Sequence, residues 1–531
     1  MSANNSTGAD FELAKSHFLN GLDFFNRKLY PEAESSFRAS LSIIPNRESV
    51  LVNLSATLLK LDKYSDAKNI SKQVLELNNL NQEAWLNLGN ALLKLQQYEQ
   101  SITAYDKAIS TGSELAEIWY SRGIALQELK QHEQALTSYD KAISIDPESA
   151  ESWSNRGNIL QELKQYEQAI NSYDKAISIN PGYANARYNR GIAFQELKQY
   201  KQAINSYDEA VNIDPKYADA YWNKSLIQLL TGDFQDGWTN YEYRWHRNGA
   251  DKKRYQEIKE LENINEAESS TVLVWWEQGY GDAIQFSRYV PLLAELAAEV
   301  VFVVPVALKT LLERSFPTLK VITNEEPISS VDFQLPLMSL PRLLFADLDH
   351  VPSPNRYLRP LASNISNWES KLKLDRCRIN IGIACSGNVA NKHDKFRSLG
   401  LSFFEPLSRL ANLYLIQKDL RESDKDFLGR NPKINFLGDQ ITSFEDSASI
   451  VEHMDLIVTV CTSLAHLAGA LGKRTAVLLT WNSDWRWFLN RQDSPWYSSV
   501  KLFRQTSPGD WESVIQDVIS DLKRDTLAKS P

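Results

Sequence analysis

The chain has 531 residues, 43% apolar and 24% charged, a globular balance with length for three or four domains, which excludes disorder and a membrane-embedded body. A net charge of −9 opposes a phosphate-tracking surface, so nucleic acid is not an expected partner. Cys377, Cys385 and Cys461 are too few and too irregular for a disulfide framework or a zinc ribbon, the start MSANNSTGAD has no apolar signal core, and no membrane-length apolar run occurs, so the expected location is cytoplasmic.

The first half repeats itself. Pro147, Pro181 and Pro215 lie 34 residues apart, and Pro45 lies three such periods before Pro147. Counting from Ala14 gives seven units: 14–47, 48–81, 82–115, 116–149, 150–183, 184–217 and a degenerate 218–251. The eighth residue of each unit is small (Gly21, Ser55, Gly89, Gly123, Gly157, Gly191, Ser225), as is the twentieth (Ala33, Ala67, Ser101, Ala135, Ala169, Ala203, Gly237). Small residues at two fixed places let the helices of a hairpin approach closely, Trp85, Trp119 and Trp153 at the fourth place fill space between hairpins, and the prolines close each second helix. This pattern resembles the tetratricopeptide repeat, which implies an all-α superhelix with a concave groove that takes peptide or protein.

Asn53, Asn87, Asn155, Asn189 and Asn223 share the sixth place and are expected to line that groove. An amide offers both a donor and an acceptor, which suits the backbone of an extended polypeptide without dictating its sequence. The layout is similar to that of the O-linked N-acetylglucosamine transferase, whose array carries such a ladder. The alternative is that these asparagines are ordinary polar surface at a place that the repeat favours.

Past Trp245 the period fails, and 252–270, charged and without proline, reads as a linker with one helix. From Thr271 short apolar runs alternate with helical stretches, predicting strands over 272–276, 300–304, 321–323, 379–384, 413–417, 456–460 and 475–479. Parallel α/β sheets are the expected fold, in two halves, 271–365 and 376–525.

Three segments follow predicted strands, where such sheets bind ligands. The first is EQGYGDAIQF, 277–286, whose glycines permit a tight turn and whose Asp282 is placed to start a helix, as an N-cap if nothing else. The second, Ser386-Gly387-Asn388, runs into a charged loop with Lys392, His393, Asp394, Lys395, Arg397 and Ser398. The third is CTSLAHLAGALG, 461–472, in which Thr462 and Ser463 stand at a helix start that suits phosphate oxygens and His466 lies one turn on. On spacing alone His466 also fits a structural histidine.

Together with DWRW, DSPWY and LFRQ downstream, these segments resemble the C-terminal region of bacterial tetratricopeptide glycosyltransferases, a family related to the heptosyltransferases that use ADP-heptose. The resemblance spans Thr271 to about Val518 and implies two Rossmann-like halves in the GT-B arrangement, with the donor nucleotide held by the C-terminal half. It implies that Asp282 is the catalytic base, and that Thr462, Ser463 and His466 hold the donor diphosphate with Arg397, Ser386 and Asn388 beside it. Cys461 stands where the family usually has aspartate, and Cys385 where it often has tryptophan. The expected activity is metal-independent transfer from a nucleotide-sugar, used as substrate with no cofactor, to a polypeptide presented by the repeats. The alternative is a scaffold whose repeats assemble proteins and whose second half is an inactive glycosyltransferase-like fold.

Overall fold

The computed structural model describes residues 8–528 apart from 113, 345–346, 373, 376 and 388–393. It divides into two compact units, 1–217 and 218–531. In the first, six helical hairpins follow one another with the 34-residue period, for example Ala150–Glu162 with Tyr166–Ile179 and Ala184–Glu196 with Tyr200–Ile213. Second helices stop at Ile43, Ile145, Ile179 and Ile213, two residues before Pro45, Pro147, Pro181 and Pro215.

The small eighth residue has a specific counterpart. Gly21, Gly89, Gly123, Gly157 and Gly191 each lie against an aromatic ring sixteen residues later, Phe37, Tyr105, Tyr139, Tyr173 and Tyr207. A Cβ at Gly157 would stand 2.5 Å from the Tyr173 ring, well inside contact distance. The hairpin turns share a second feature: Lys28, Asp62, Gln96, Lys130, Lys164 and Lys198, at the fifteenth place, have φ between 57° and 60°. Arg156 donates to Asp140 of the preceding hairpin and to Ser172 of its own, both at 2.7 Å, and Arg122 and Arg190 make the equivalent bonds. The Trp153 indole donates to Pro147 O at 2.9 Å, so the fourth-place tryptophan also pins the turn between repeats.

The seventh hairpin, Ala218–Thr231 with Phe234–Tyr241, belongs to the second unit. Its degenerate sequence is explained there by an aromatic cluster. Trp238 meets Phe286 and Trp485 edge-on at 5.7 and 5.4 Å, and Phe234 stacks on Phe488 and Trp496. The DWRW and DSPWY segments therefore form the seat of this hairpin. Next to it the buried Arg244 donates bidentately to Glu277, both bonds 2.8 Å, and to Ser339 Oγ at 2.9 Å, and Glu277 also accepts from Met338 N–H.

Two sheets build the rest. The first contains β1 (Thr271–Trp275), β2 (Glu299–Val303), β3 (Lys320–Ile322) and β4 (Phe333–Pro336) in the order β3-β2-β1-β4, all parallel. The second contains β5 (Ile379–Ala384), β6 (Ala411–Leu415), β7 (Ile434–Phe436), β8 (Leu456–Val460), β9 (Thr475–Leu479), β10 (Asp493–Ser494) and β11 (Tyr497–Arg504). Its order is β10-β11-β9-β8-β5-β6-β7, parallel except for β10 with β11. In both sheets the winding reverses beside the first strand, between β1 and β4 and between β5 and β8, and ligands of open α/β sheets bind at such reversals.

The strands over 379–384, 456–460 and 475–479 stand as expected, and the other four shift by one or two residues. Sequence reading missed β4, β7, β10 and β11: β4 and β7 are four- and three-residue pieces, β4 ends in proline, β10 is a two-residue polar piece at the sheet edge, and β11 mixes polar and apolar residues. The stretch 252–270 is not a free linker and has no α-helix. Leu261 N–H bonds to Gln334 O and Gln334 N–H to Lys259 O, extending the first sheet past β4, while Tyr255 and Ile258 cover Leu273, Trp275 and Val301. Its apolar residues are isolated between charges, which hid this packing from the sequence.

Two outcomes follow. Gly157→Ala should destabilise the repeat array by about 1–3 kcal/mol in denaturant unfolding, because the Tyr173 ring has no space to give; a change under about 0.5 kcal/mol would show a looser hairpin than this packing implies. Glu277→Gln preserves shape but removes one of the two carboxylates on Arg244 and leaves Glu242, 2.9 Å from Nη1, as its remaining counter-charge, so it should cost about 1.5–3 kcal/mol in the second unit.

Candidate functional site

Of the residues singled out in the second half, Ser386, Thr462 and Ser463 line one cavity where the second sheet's winding reverses, and Asp282, Arg397 and His466 are not among its lining residues. The cavity, of about 370 Å³, is lined by Ser386 and Gly387 after β5, Gln417 to Asp419 after β6, Thr442 to Phe444, and Thr462 to Leu464 after β8. Tyr280, from the turn after β1, and Ala307 close it from the first sheet's side.

Each wall has a physical origin. Gln417 shapes the turn after β5: its Oε1 accepts from Cys385 N–H and Ser386 N–H at 3.0 and 3.1 Å, and its Nε2 donates to Ser386 Oγ at 2.7 Å. Ser386 therefore stands in the wall as expected, with its backbone N–H committed to Gln417. Thr462 is the N-cap of the helix Ser463–Ala470 and makes no side-chain cap bond, so the first-turn N–H groups, which no helix can satisfy internally, face the cavity end.

Asp282 lies on the helix Tyr280–Phe286, whose N-terminus meets that of Ser463–Ala470. Gly281 is the point of contact: a Cβ there would stand 2.9 Å from His466 Cδ2 and 3.6 Å from Ser463 Cα. The N-cap of that helix is Gly279 rather than Asp282, which is the third helical residue; Asp282 Oδ2 accepts from Gly279 N–H at 3.1 Å, and Oδ1 accepts from the buried guanidinium of Arg486. Arg486 is in turn held by Asp484, at 2.9 and 3.1 Å.

Arg397 flanks Gly387, and its Nε donates to Asp394 Oδ1 at 3.2 Å. The buried Asp394 organises this corner, since it also accepts from Gly387 N–H, Ser398 Oγ and Arg421. Asn388, expected beside them, and the loop residues Lys392 and His393 lie outside the described residues.

His466 departs from the expected role. Its ring is buried beneath the helix end, stacked on Trp487 at 5.3 Å, with Nδ1 3.0 Å from Tyr497 Oη. Burial, reinforced by Arg486, Arg288 and Arg397, holds its proton affinity well below the ordinary histidine range, so it is a neutral imidazole. It supports the wall rather than presenting a charge to an anion. Cys461 follows the same logic: burial pushes its thiol up to about 11, and Trp487 Nε1 lies 3.0 Å from its sulfur. Cys385 is pushed up to about 12, mainly by burial. Both are inert thiols at neutral pH.

Of the asparagine ladder, Asn53, Asn87, Asn155 and Asn189 lie in the first compact unit and Asn223 in the second, and all five have partners. Asn87 is buried and donates to Ser55 Oγ at 2.8 Å, Asn155 to Tyr120 Oη at 3.2 Å and Asn189 to Asn158 Oδ1 at 2.9 Å, each in the preceding repeat. Asn53 donates to Ser49 O in its own helix, and Asn223 is partnered as well. The amides of Asn87, Asn155 and Asn189 thus tie repeat to repeat. The sixth place lies near enough to the neighbouring hairpin for this, a proximity that the period alone does not convey.

Sequence reading assigned no role to Arg486, Tyr497, Gln417, Asp394 or Arg288. Arg486 and Tyr497 lie in the DWRW and DSPWY segments, so the signal was present without a geometry to interpret it. Among the described residues no group of three or more His, Cys, Asp or Glu gathers as a metal site would, and no helix is long and apolar enough to cross a membrane.

The neutral His466 has a measurable consequence. Because its folded-state proton affinity is depressed, the unfolded chain binds the extra proton below about pH 6.5, so its contribution to stability is present above that pH and is lost as pH falls. Wild-type stability should therefore decline by about 1–2 kcal/mol between pH 6.5 and 5 more than that of His466→Asn. Parallel unfolding curves for the two proteins across this window would mean that the imidazole is not buried neutral.

Comparison with known proteins supports the repeat half. Models described as TPR repeat and tetratricopeptide repeat match between them residues 89–130, 116–149, 138–171, 157–198 and 184–217. Protein FlbA of Caulobacter vibrioides is 21% identical over 326 residues, 56% of this chain and 54% of its own, so the chain spans about half the length of that relative. Among solved structures, YrrB, described as a TPR protein with an unusual peptide-binding site, is 22% identical and covers 36% of this chain and 98% of its own with a TM-score of 0.33. PilF of Pseudomonas aeruginosa is 16% identical and covers 39% and 94% with a TM-score of 0.35. The chain carries tetratricopeptide repeats, followed by an α/β region.

Proposed function

We propose that the α/β region is a glycosyltransferase of GT-B type, built from two Rossmann-like halves, and that it moves a sugar from a nucleotide-sugar donor to an acceptor. The observation that carries this reading is the cavity of about 370 Å³ at the winding reversal of the second sheet, a size suited to a nucleotide. Taken from β7, the parallel strands run β7-β6-β5-β8-β9-β11, the order of nucleotide-binding sheets. The resemblance of the three segments and of the downstream tryptophan motifs supports the same activity.

In this reading the diphosphate lies against the N-terminus of Ser463–Ala470, with Thr462 and Ser463 offering N–H and hydroxyl donors and Arg397 supplying charge. Gln417, Lys418, Asp419 and Ser443 line the part of the cavity left for the nucleoside. These groups neutralise the leaving group without a metal, and Asp282 is the base. The repeats present a polypeptide acceptor in the cytoplasm, using surface other than the engaged asparagine donors.

A second reading has its own observation. Both carboxylate oxygens of Asp282 are occupied, by Arg486 and Gly279 N–H, and Cys461 replaces the family's usual aspartate. A scaffold that assembles proteins through its repeats, with a retired catalytic fold, accounts for both.

A thermal-shift screen with UDP, ADP, GDP and dTDP separates the two, since a ligand at 100 times its dissociation constant adds about 2.7 kcal/mol. One nucleotide should raise the melting temperature, and Arg397→Ala should weaken its binding about 10- to 100-fold. No shift with any of the four returns the fold to the scaffold reading.

A further inference from the structure

Arg486 is the least settled charged group of the site. It is almost fully buried between two carboxylates, its Nη2 on Asp282 Oδ1 and its Nη1 on both oxygens of Asp484, yet its Nε is buried without an acceptor. Native proteins rarely leave such a donor unspent, and a guanidinium with a spare N–H is prepared for an anion.

Its position points to which anion. Tyr280, two residues before Asp282, lines the cavity, and Gly281 between them packs on Ser463, another lining residue. On the other side Trp487, next to Arg486, donates to Cys461, the neighbour of Thr462. The Asp282–Arg486 pair thus lies behind the lining residues at the start of the helix Ser463–Ala470, with its chain neighbours in contact with that helix end.

We propose that Arg486 is a transferable cation that holds Asp282 while the cavity is empty and turns to the donor's diphosphate when it fills, releasing Asp282 to act as base. This rests on the donor-site reading above. The released carboxylate takes the proton of an acceptor hydroxyl as its oxygen bonds to the anomeric carbon of the sugar. The bond from that carbon to the diphosphate oxygen breaks, and its electron pair leaves on the nucleoside diphosphate, where Arg486 and Arg397 meet the added charge. The base is therefore available only when a donor is bound.

The test is calorimetry with whichever of UDP, ADP, GDP and dTDP gives the largest thermal shift. It is run on the full-length wild-type protein, Asp282→Asn, Arg486→Gln and the double variant. Asp282→Asn keeps the shape and the Gly279 cap but removes the charge that competes for Arg486, so nucleotide binding should tighten about 3- to 10-fold. Arg486→Gln should weaken it about 10- to 100-fold, and adding Asp282→Asn to that variant should restore nothing. Equal affinity in wild type and Asp282→Asn overturns the transfer of Arg486 while leaving the donor site standing, and this comparison decides even if Arg486→Gln fails to fold. A wild-type protein that binds none of the four overturns the donor site and the transfer together.

Discussion

The second unit depends on a buried charge meeting its partner. Arg244, at the end of the last hairpin, and Glu277, just after the first sheet's β1, are each costly to bury alone; Arg244 neutralises Glu277 and is itself shared with Glu242 at 2.9 Å. Because the pair is bidentate and is joined by Ser339 and by the Met338 N–H, it fixes direction as well as distance. Glu277 also opens the turn that carries Gly279, Gly281 and Asp282, so the constraint that seats the hairpin sets the entry of the candidate site.

From that anchor the site is assembled by close approach. Gly281 lets one short helix touch the start of another, and a neutral histidine fills the space beneath. Gly469 does the same one turn deeper, since a Cβ there would stand 2.5 Å from the Tyr497 ring that bonds His466. Arg288, buried without a carboxylate on its guanidinium, spends its donors on the carbonyls of Gln285, Pro352 and Trp496 and on Tyr357 Oη, tying the chain that crosses between the sheets to both of them. Charge is handled by orientation throughout: Asp394 aims two arginines, and Asp484 and Asp282 bracket a third.

Much of this was legible in the sequence where periodicity or burial imposes a rule. The 34-residue register, the small eighth place and the proline stops located the hairpins, and continuous apolar runs located β5, β8 and β9. The strands that escaped are short or half polar, and 252–270 escaped because its buried residues are spaced singly among charges. The site was legible as segments but not as roles. Spacing placed Asp282 and Thr462 at helix starts, where they are. It gave no means to see that His466 turns away beneath its helix, or that the partner of Asp282 is Arg486, 204 residues later in the chain. Pairings across such separations arise from tertiary packing, which local pattern does not encode. The asparagines illustrate the converse: their alignment was correct, and the amides of Asn87, Asn155 and Asn189 bond to the preceding repeat.

The seventh hairpin adds a consequence for how such a chain can change over generations. Phe234, Trp238, Tyr241 and Arg244 have exchanged the repeat's interchangeable residues for contacts particular to the α/β region. Units within 14–217 share a pattern in which equivalent arginines bond to the preceding unit 16 residues back, so unequal recombination can add or delete one and leave its neighbours with equivalent surfaces. The terminal hairpin has no such freedom. Length variation in relatives of this architecture is therefore expected to be confined upstream of residue 218, in steps of 34, with the last hairpin inherited as part of the domain that it adjoins.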